Sequence, residues 1–184
     1  MATLPSKPPE TGKHMTKIWK ETGFVDSDIW VTETEERTAG EGEKALLPLE
    51  AFLEAVADTN DIGLGVLVAP ADDVKKLEPH LDRIALIAVA FPAFNDGRGF
   101  SHATLLRERL AYTGELRAVG DVLIDQVPLM LRTGFDSFAV TNPVAQRRLA
   151  ENCLTGVAQR YQPTARESQA VDGFSWRRLG STGA

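Results

Sequence analysis

Residues 92–101, PAFNDGRGFS, form the most informative stretch of the chain for ligand chemistry. Gly97 and Gly99 permit positive φ or close approach of a ligand to backbone N–H groups. Arg98, between them, carries a guanidinium fork suited to an oxyanion. Ser101 stands where it would cap a following helix, whose first N–H groups and dipole favour negative charge. Asp96, Gly97, Arg98, Gly99 and Ser101 are therefore candidates for a phosphate- or sulfate-binding loop. An ordinary turn accounts for the same residues, since Asp96-Gly97 is a common turn dipeptide and Arg98 can pair with Asp96. Neither a Walker A loop nor GxGxxG is present, so no nucleotide is implied.

A second stretch, ELRAVGDVLIDQ from Glu115, places Asp121 at the end of an expected strand. On a helix starting there, Asp125 lies one turn beyond Asp121, and two carboxylates so placed raise each other's pKa for acid–base work. Asp121 and Asp125 are thus the candidate catalytic residues, although plain helix capping explains Asp121 as well. Arg107, Arg109 and Arg117 complete a cationic group with Arg98, and Arg107 and Arg117 join the candidate ligand-binding set. An anionic ligand and a solvated face paired with Glu108 or Glu115 are both compatible with it.

Metal and nucleophile chemistry find little support. His14, His80 and His102 are scattered without HxH or HExxH spacing, and no metal site is expected. Of the three, only His102 falls in the loop region. Cys153 shares a helical periodicity with Leu149 and Val157 and reads as a core thiol. No cofactor motif is evident.

These residues need a scaffold, and the apolar pattern supplies one. Short apolar runs alternate with amphipathic segments five times from Ala45: ALLPL with LEAFLEAVAD, IGLGVLVA with DDVKKLEPHLDR, IALIAVAF with SHATLLRERLAYT, ELRAVG with DVLIDQVPLMLRTG, and FDSFAVT with PVAQRRLAENCLTGVAQR. Such alternation predicts a parallel sheet covered by helices. The expected fold is a three-layer α/β domain with a mainly parallel sheet of about five strands. It is either doubly wound or a partial β/α barrel, and a small hairpin over residues 17–32 precedes it. Gly114 and Gly134 are expected as C-cap glycines. Pro128 is expected to kink or split its helix. In both architectures functional loops gather at the carboxyl ends of the strands, here beginning at Pro70, Pro92, Gly120 and Thr141.

The chain has 184 residues, 43% hydrophobic and 25% charged, with a net charge of -6. That balance disfavours nucleic acid as a partner, and no apolar run reaches bilayer length. One cysteine excludes an intrachain disulfide, a CxxC pair and a self-contained iron–sulfur cluster. Residues 1–16 read as a flexible leader, 17–160 as a single α/β domain and 161–184 as a polar tail, with a cytoplasmic location expected. All seven lysines lie at or before Lys76, and every cation beyond is arginine.

The block FPAFNDGRGFS–LLRERL–TGELRAVGDVLIDQ, within residues 91–138, resembles a bacterial domain family of unknown function (number nine hundred and thirty-four). Weaker similarity reaches back to Leu47. Such proteins are encoded beside assimilatory sulfite reductase, so the resemblance implies an accessory role in sulfate and sulfite reduction. Sulfite reductase or another sulfate-assimilation enzyme is the implied partner. The oxidoreductase label often attached to the family meets no redox motif in this chain. The alternative is a small α/β enzyme or sensor binding a sulfate- or phosphate-bearing ligand at the loop formed by Asp96 and its neighbours. The chain departs from its relatives at Val127-Pro128-Leu129, where they often carry aromatics.

Overall fold

A computed structural model describes residues 15–32, 38–59, 61–93, 95–151 and 153–154 of the chain. The expected leader up to residue 14 and the tail over 161–184 lie outside them. Eight strands form one sheet: β1 (Lys17–Lys20), β2 (Gly23–Phe24), β3 (Trp30–Thr32), β4 (Lys44–Pro48), β5 (Leu64–Val68), β6 (Ile84–Phe91), β7 (Glu115–Gly120) and β8 (Ser137–Val140). Helices α1 (Leu49–Asp58), α2 (Arg98–Thr104), α3 (Val127–Arg132) and α4 (Pro143–Ala150) follow β4, β6, β7 and β8. A 3-10 stretch, Val74–Arg83, follows β5, and a π turn, Leu105–Arg109, prolongs α2. The five expected strand–helix units are all present.

Their arrangement settles the choice of architecture. The sheet order is β2-β1-β8-β7-β6-β5-β4-β3, and β3 through β8 run parallel in unbroken sequence order. A doubly wound sheet reverses its order at a switch point, and none occurs here. Right-handed crossovers that always step the same way place their helices on one face. The sheet curls strongly into a half-barrel, and crossover helices of a β/α barrel cover its outer, convex side. The expectation of three layers and about five strands is thus corrected to two layers and eight strands.

Alternation along the strands reports the same arrangement. Ile87, Val89 and Phe91 of β6 join Phe52, Leu77, Ala103, Leu106 and Met130 beneath the helices. Their neighbours Leu86 and Ala88 join Leu46 in a second cluster, with Trp30, Leu67 and Val119 against it. The run IALIAVAF is apolar on both parities because its second face is covered by the sheet's own curl and by Trp30, not by helices. A Cβ on Gly65 would lie 2.4 Å from the Trp30 ring, so that indole lies directly on the β5 backbone.

The hairpin is found in part. β1 and β2 pair antiparallel, Trp19 facing Phe24, and β1 extends the sheet antiparallel beside β8. The remainder of the expected second arm leaves the pair. Residues 25–29 lead from one edge of the sheet to β3 at the other, where Trp30, Val31 and Thr32 pair parallel with Lys44, Ala45 and Leu46.

Several expected helix ends also move. α2 starts at Arg98, so Ser101 is an interior residue and caps nothing. Residues 121–126 form a bend and turn, and α3 starts at Val127 with Pro128 in its first turn. A proline there loses no hydrogen bond and its fixed φ suits the helix, so it starts the helix where a kink was expected. Gly134 follows α3 with φ +100 as expected. After the π turn the left-handed residue is Ala111, φ 51, rather than Gly114. Cys153 is exposed, not a core thiol, because α4 ends at Ala150.

Gly120 closes β7 with φ +99, and a Cβ there would lie 2.3 Å from the Phe91 carbonyl oxygen. Gly120→Ala combines backbone strain with a clash against main chain. It is expected to cost about 2–3 kcal/mol, read as a lowered urea midpoint; a loss below about 0.5 kcal/mol contradicts this geometry.

Candidate functional site

The loop before α2 is built by internal pairing. Arg98 donates from Nε and Nη2 to the two carboxylate oxygens of Asp96 at 2.9 and 2.7 Å, and its backbone N–H reaches Asp96 Oδ1 at 3.2 Å. These bonds hold the Asp96 carboxyl below its ordinary pKa. Gly97 has φ -79, and Gly99 is not in the positive-φ region. Gly99 is required for another reason: a Cβ would lie 2.5 Å from the Phe91 ring, which packs against α2. Gly99 thus serves the fold, a Cβ on Gly97 would meet no atom within 4 Å, and the guanidinium fork is occupied by Asp96.

The four arginines of the expected cationic group are not brought together. Arg98 stands beyond the carboxyl end of β6. Arg107 is a clamp near the amino-terminal ends of β7 and β8. Its Nε donates to Gly134 O at 2.9 Å, and Nη1 donates to Gly114 O at 2.9 Å and to Tyr112 O. Nη2 pairs with Asp136, which also accepts the Leu116 N–H at 2.8 Å. The guanidinium lies 5.4 Å from the centre of the Tyr112 ring. Arg109 lines a shallow groove with Phe100, Ser101 and Leu105 on the helical side.

Asp121 and Asp125 are exposed, and without a helix over 121–126 they are not stacked one turn apart. The Asp121 backbone N–H donates to Phe91 O at 2.7 Å, which ties β7's exit to β6. His102 bonds through Nε2 to Pro70 O at 3.2 Å and fastens the loop after β5 to α2. Among the described residues, no group of three His, Cys, Asp or Glu side chains is placed to hold a metal ion.

Arg117 is placed differently. It lies on the concave face of β7 at the base of a cleft of about 750 Å³. The walls are Ile18, Leu46, Val119 and Ala139 from the strands, Trp30 from β3, and Val25, Asp26 and Asp28 from the crossing segment. The mouth opens by Lys17, Gly120 and Thr141, at the carboxyl ends of β7 and β8. This is where a β/α fold of this kind presents its ligands.

The Arg117 side chain is 4% exposed and every arm of it is engaged. Nη2 donates to Glu115 Oε1 at 2.9 Å, Nε to Ser137 Oγ at 3.2 Å, and Nη1 to Asp28 Oδ2 at 2.6 Å. Ser137 donates in turn to Glu115 Oε1 at 2.6 Å, and Lys20 to Glu115 Oε2 at 2.7 Å. Two cations and two carboxylates thus balance at the base of the bore.

Burial opposes the ionised form of Glu115, but bonds from Lys20, Ser137 and Arg117 outweigh it and hold the carboxyl below its ordinary pKa. A folded pKa below the unfolded one adds stability that is present above the unfolded value and lost as pH falls through the folded one. The urea midpoint is therefore expected to decline below about pH 4.3. Part of that decline should vanish in Glu115→Gln; an equally steep decline in that variant contradicts the assignment.

Arg117 is a candidate from the sequence, whereas Asp28, Trp30 and Lys17, which share its cleft, are not. Alternation in FVDSDIWVT signalled strand, and nothing local signalled that this strand leaves its hairpin for the far edge. None of the helices among the described residues is long and apolar enough to cross a membrane. No curated protein and no solved structure matches the chain. A family model does match, over residues 65–171, which takes in β6, β7 and β8 with Glu115, Arg117 and Ser137, and leaves Lys20, Asp28 and Trp30 outside. The chain belongs to the DUF934 family, described as bacterial proteins of unknown function.

Proposed function

We propose that the chain is an accessory protein of assimilatory sulfate and sulfite reduction, acting with sulfite reductase rather than carrying a redox centre of its own. The observation that supports this is the motif block within residues 91–138, with its resemblance to proteins encoded beside that enzyme. The sequence is in keeping with the reading, because a single cysteine cannot supply a dithiol or a four-cysteine cluster. A deletion strain tests it. Growth on sulfate and sulfite is expected to fail or slow, with normal growth on cysteine; equal growth on all three removes the pathway. A pull-down from sulfate-grown cells is expected to recover a sulfur-assimilation enzyme.

A further inference from the structure

We infer that the bore cleft binds a small amphipathic anion, a carboxylate or sulfonate on an apolar body, whose charged group replaces Asp28 on Arg117. This rests on the cleft alone and stands or falls separately from the pathway role.

The guanidinium is oriented before any ligand arrives. Glu115 and Ser137 hold Nη2 and Nε from within the sheet, which leaves Nη1 to reach the crossing segment. A fork fixed in this way loses little freedom on binding and offers a directed, charge-assisted bond. Of its two carboxylate partners, Glu115 belongs to β7 and is shared with Lys20. Asp28 comes from exposed residues between two short strands and lies 89 positions from Arg117 in sequence.

Exchange of the Asp28 carboxylate for a ligand's own would leave Arg117 neutralised, so no buried cation is stranded. Lys17 adds a second positive group to a lining that also holds Asp26 and Glu43, so the anion is drawn by the directed fork of Arg117 and not by the net charge of the cleft. Ile18, Leu46, Val119, Ala139 and Trp30 offer an apolar wall that a bare inorganic anion would not use. The volume is that of a small-molecule site. A cation of similar size would instead compete with Arg117 for Asp28.

The test uses the full chain and 8-anilinonaphthalene-1-sulfonate, an aromatic sulfonate, followed by fluorescence. Asp28→Asn removes the competing charge and is expected to tighten sulfonate binding about tenfold, within the worth of one charge-assisted bond. It should not tighten binding of N-methylacridinium, an aromatic cation. Val119→Phe fills the cleft and is expected to weaken sulfonate binding at least tenfold. Cooperative urea unfolding of each variant shows that the probe reads a folded site and not an exposed core. Unchanged or weaker sulfonate binding in Asp28→Asn overturns the inference. So does full binding in a folded Val119→Phe protein, or a gain for the cation.

Discussion

Arg107→Ala is expected to lower the unfolding free energy by about 3 kcal/mol, because three carbonyls and a carboxylate lose their shared donor. The guanidinium joins the π turn, the approach to β7 and the approach to β8, through Tyr112, Gly114, Gly134 and Asp136. Lysine retains the charge but not the planar fork, so Arg107→Lys should recover less than half of the loss. Urea unfolding of both variants measures this. A loss below about 1 kcal/mol in the alanine variant would return Arg107 to the surface role that its sequence also allowed.

Arg117→Met is expected to cost a similar amount, about 3 kcal/mol, for a different reason: it strips Glu115 of a buried partner. Lys20 and Ser137 still hold Glu115, which keeps the loss at the lower end of what a broken buried pair costs. Adding Glu115→Gln to Arg117→Met removes the stranded charge and should restore about half of the stability. Additive losses in that cycle would mean that the two side chains do not act as a pair. Asp28→Asn, at the exposed end of the network, is expected to cost at most about 1 kcal/mol.

The strand–helix units were legible because burial on both faces and helical periodicity are local properties of IALIAVAF and its neighbours. Strand order was not legible, since a half-barrel and a doubly wound sheet are fed by the same alternation. The direction of each crossover is decided by packing between elements. Pro128 was a clear signal with two local meanings, and its place in the first turn of α3 selects the benign one.

At the 96–101 loop the sequence offered both an anion clamp and an internal Asp96–Arg98 pair. The pair is what the chain forms, because a two-residue separation lets the side chains meet without any tertiary structure. Gly99 was read as a place where a ligand nears the backbone; what packs against it is the Phe91 ring. Arg107 was hardest to read, since its partners are mostly main-chain carbonyls, which leave no trace in residue type. Arg117 was singled out as one of a cationic group with Arg98, Arg107 and Arg109, which the fold does not bring together. Its cleft appears only when residues 25–29 are carried across the concave face.

The bore of the half-barrel is the inferred ligand site, and the glycine loop is the alternative to it. Amide chemical-shift mapping of the full chain titrated with 8-anilinonaphthalene-1-sulfonate tests this most directly. Saturable shifts are predicted at Ile18, Asp28, Trp30, Val119, Gly120 and Ala139, with Gly97, Arg98 and Gly99 unmoved. Shifts confined to Gly97, Arg98, Gly99 and Ser101 would contradict it.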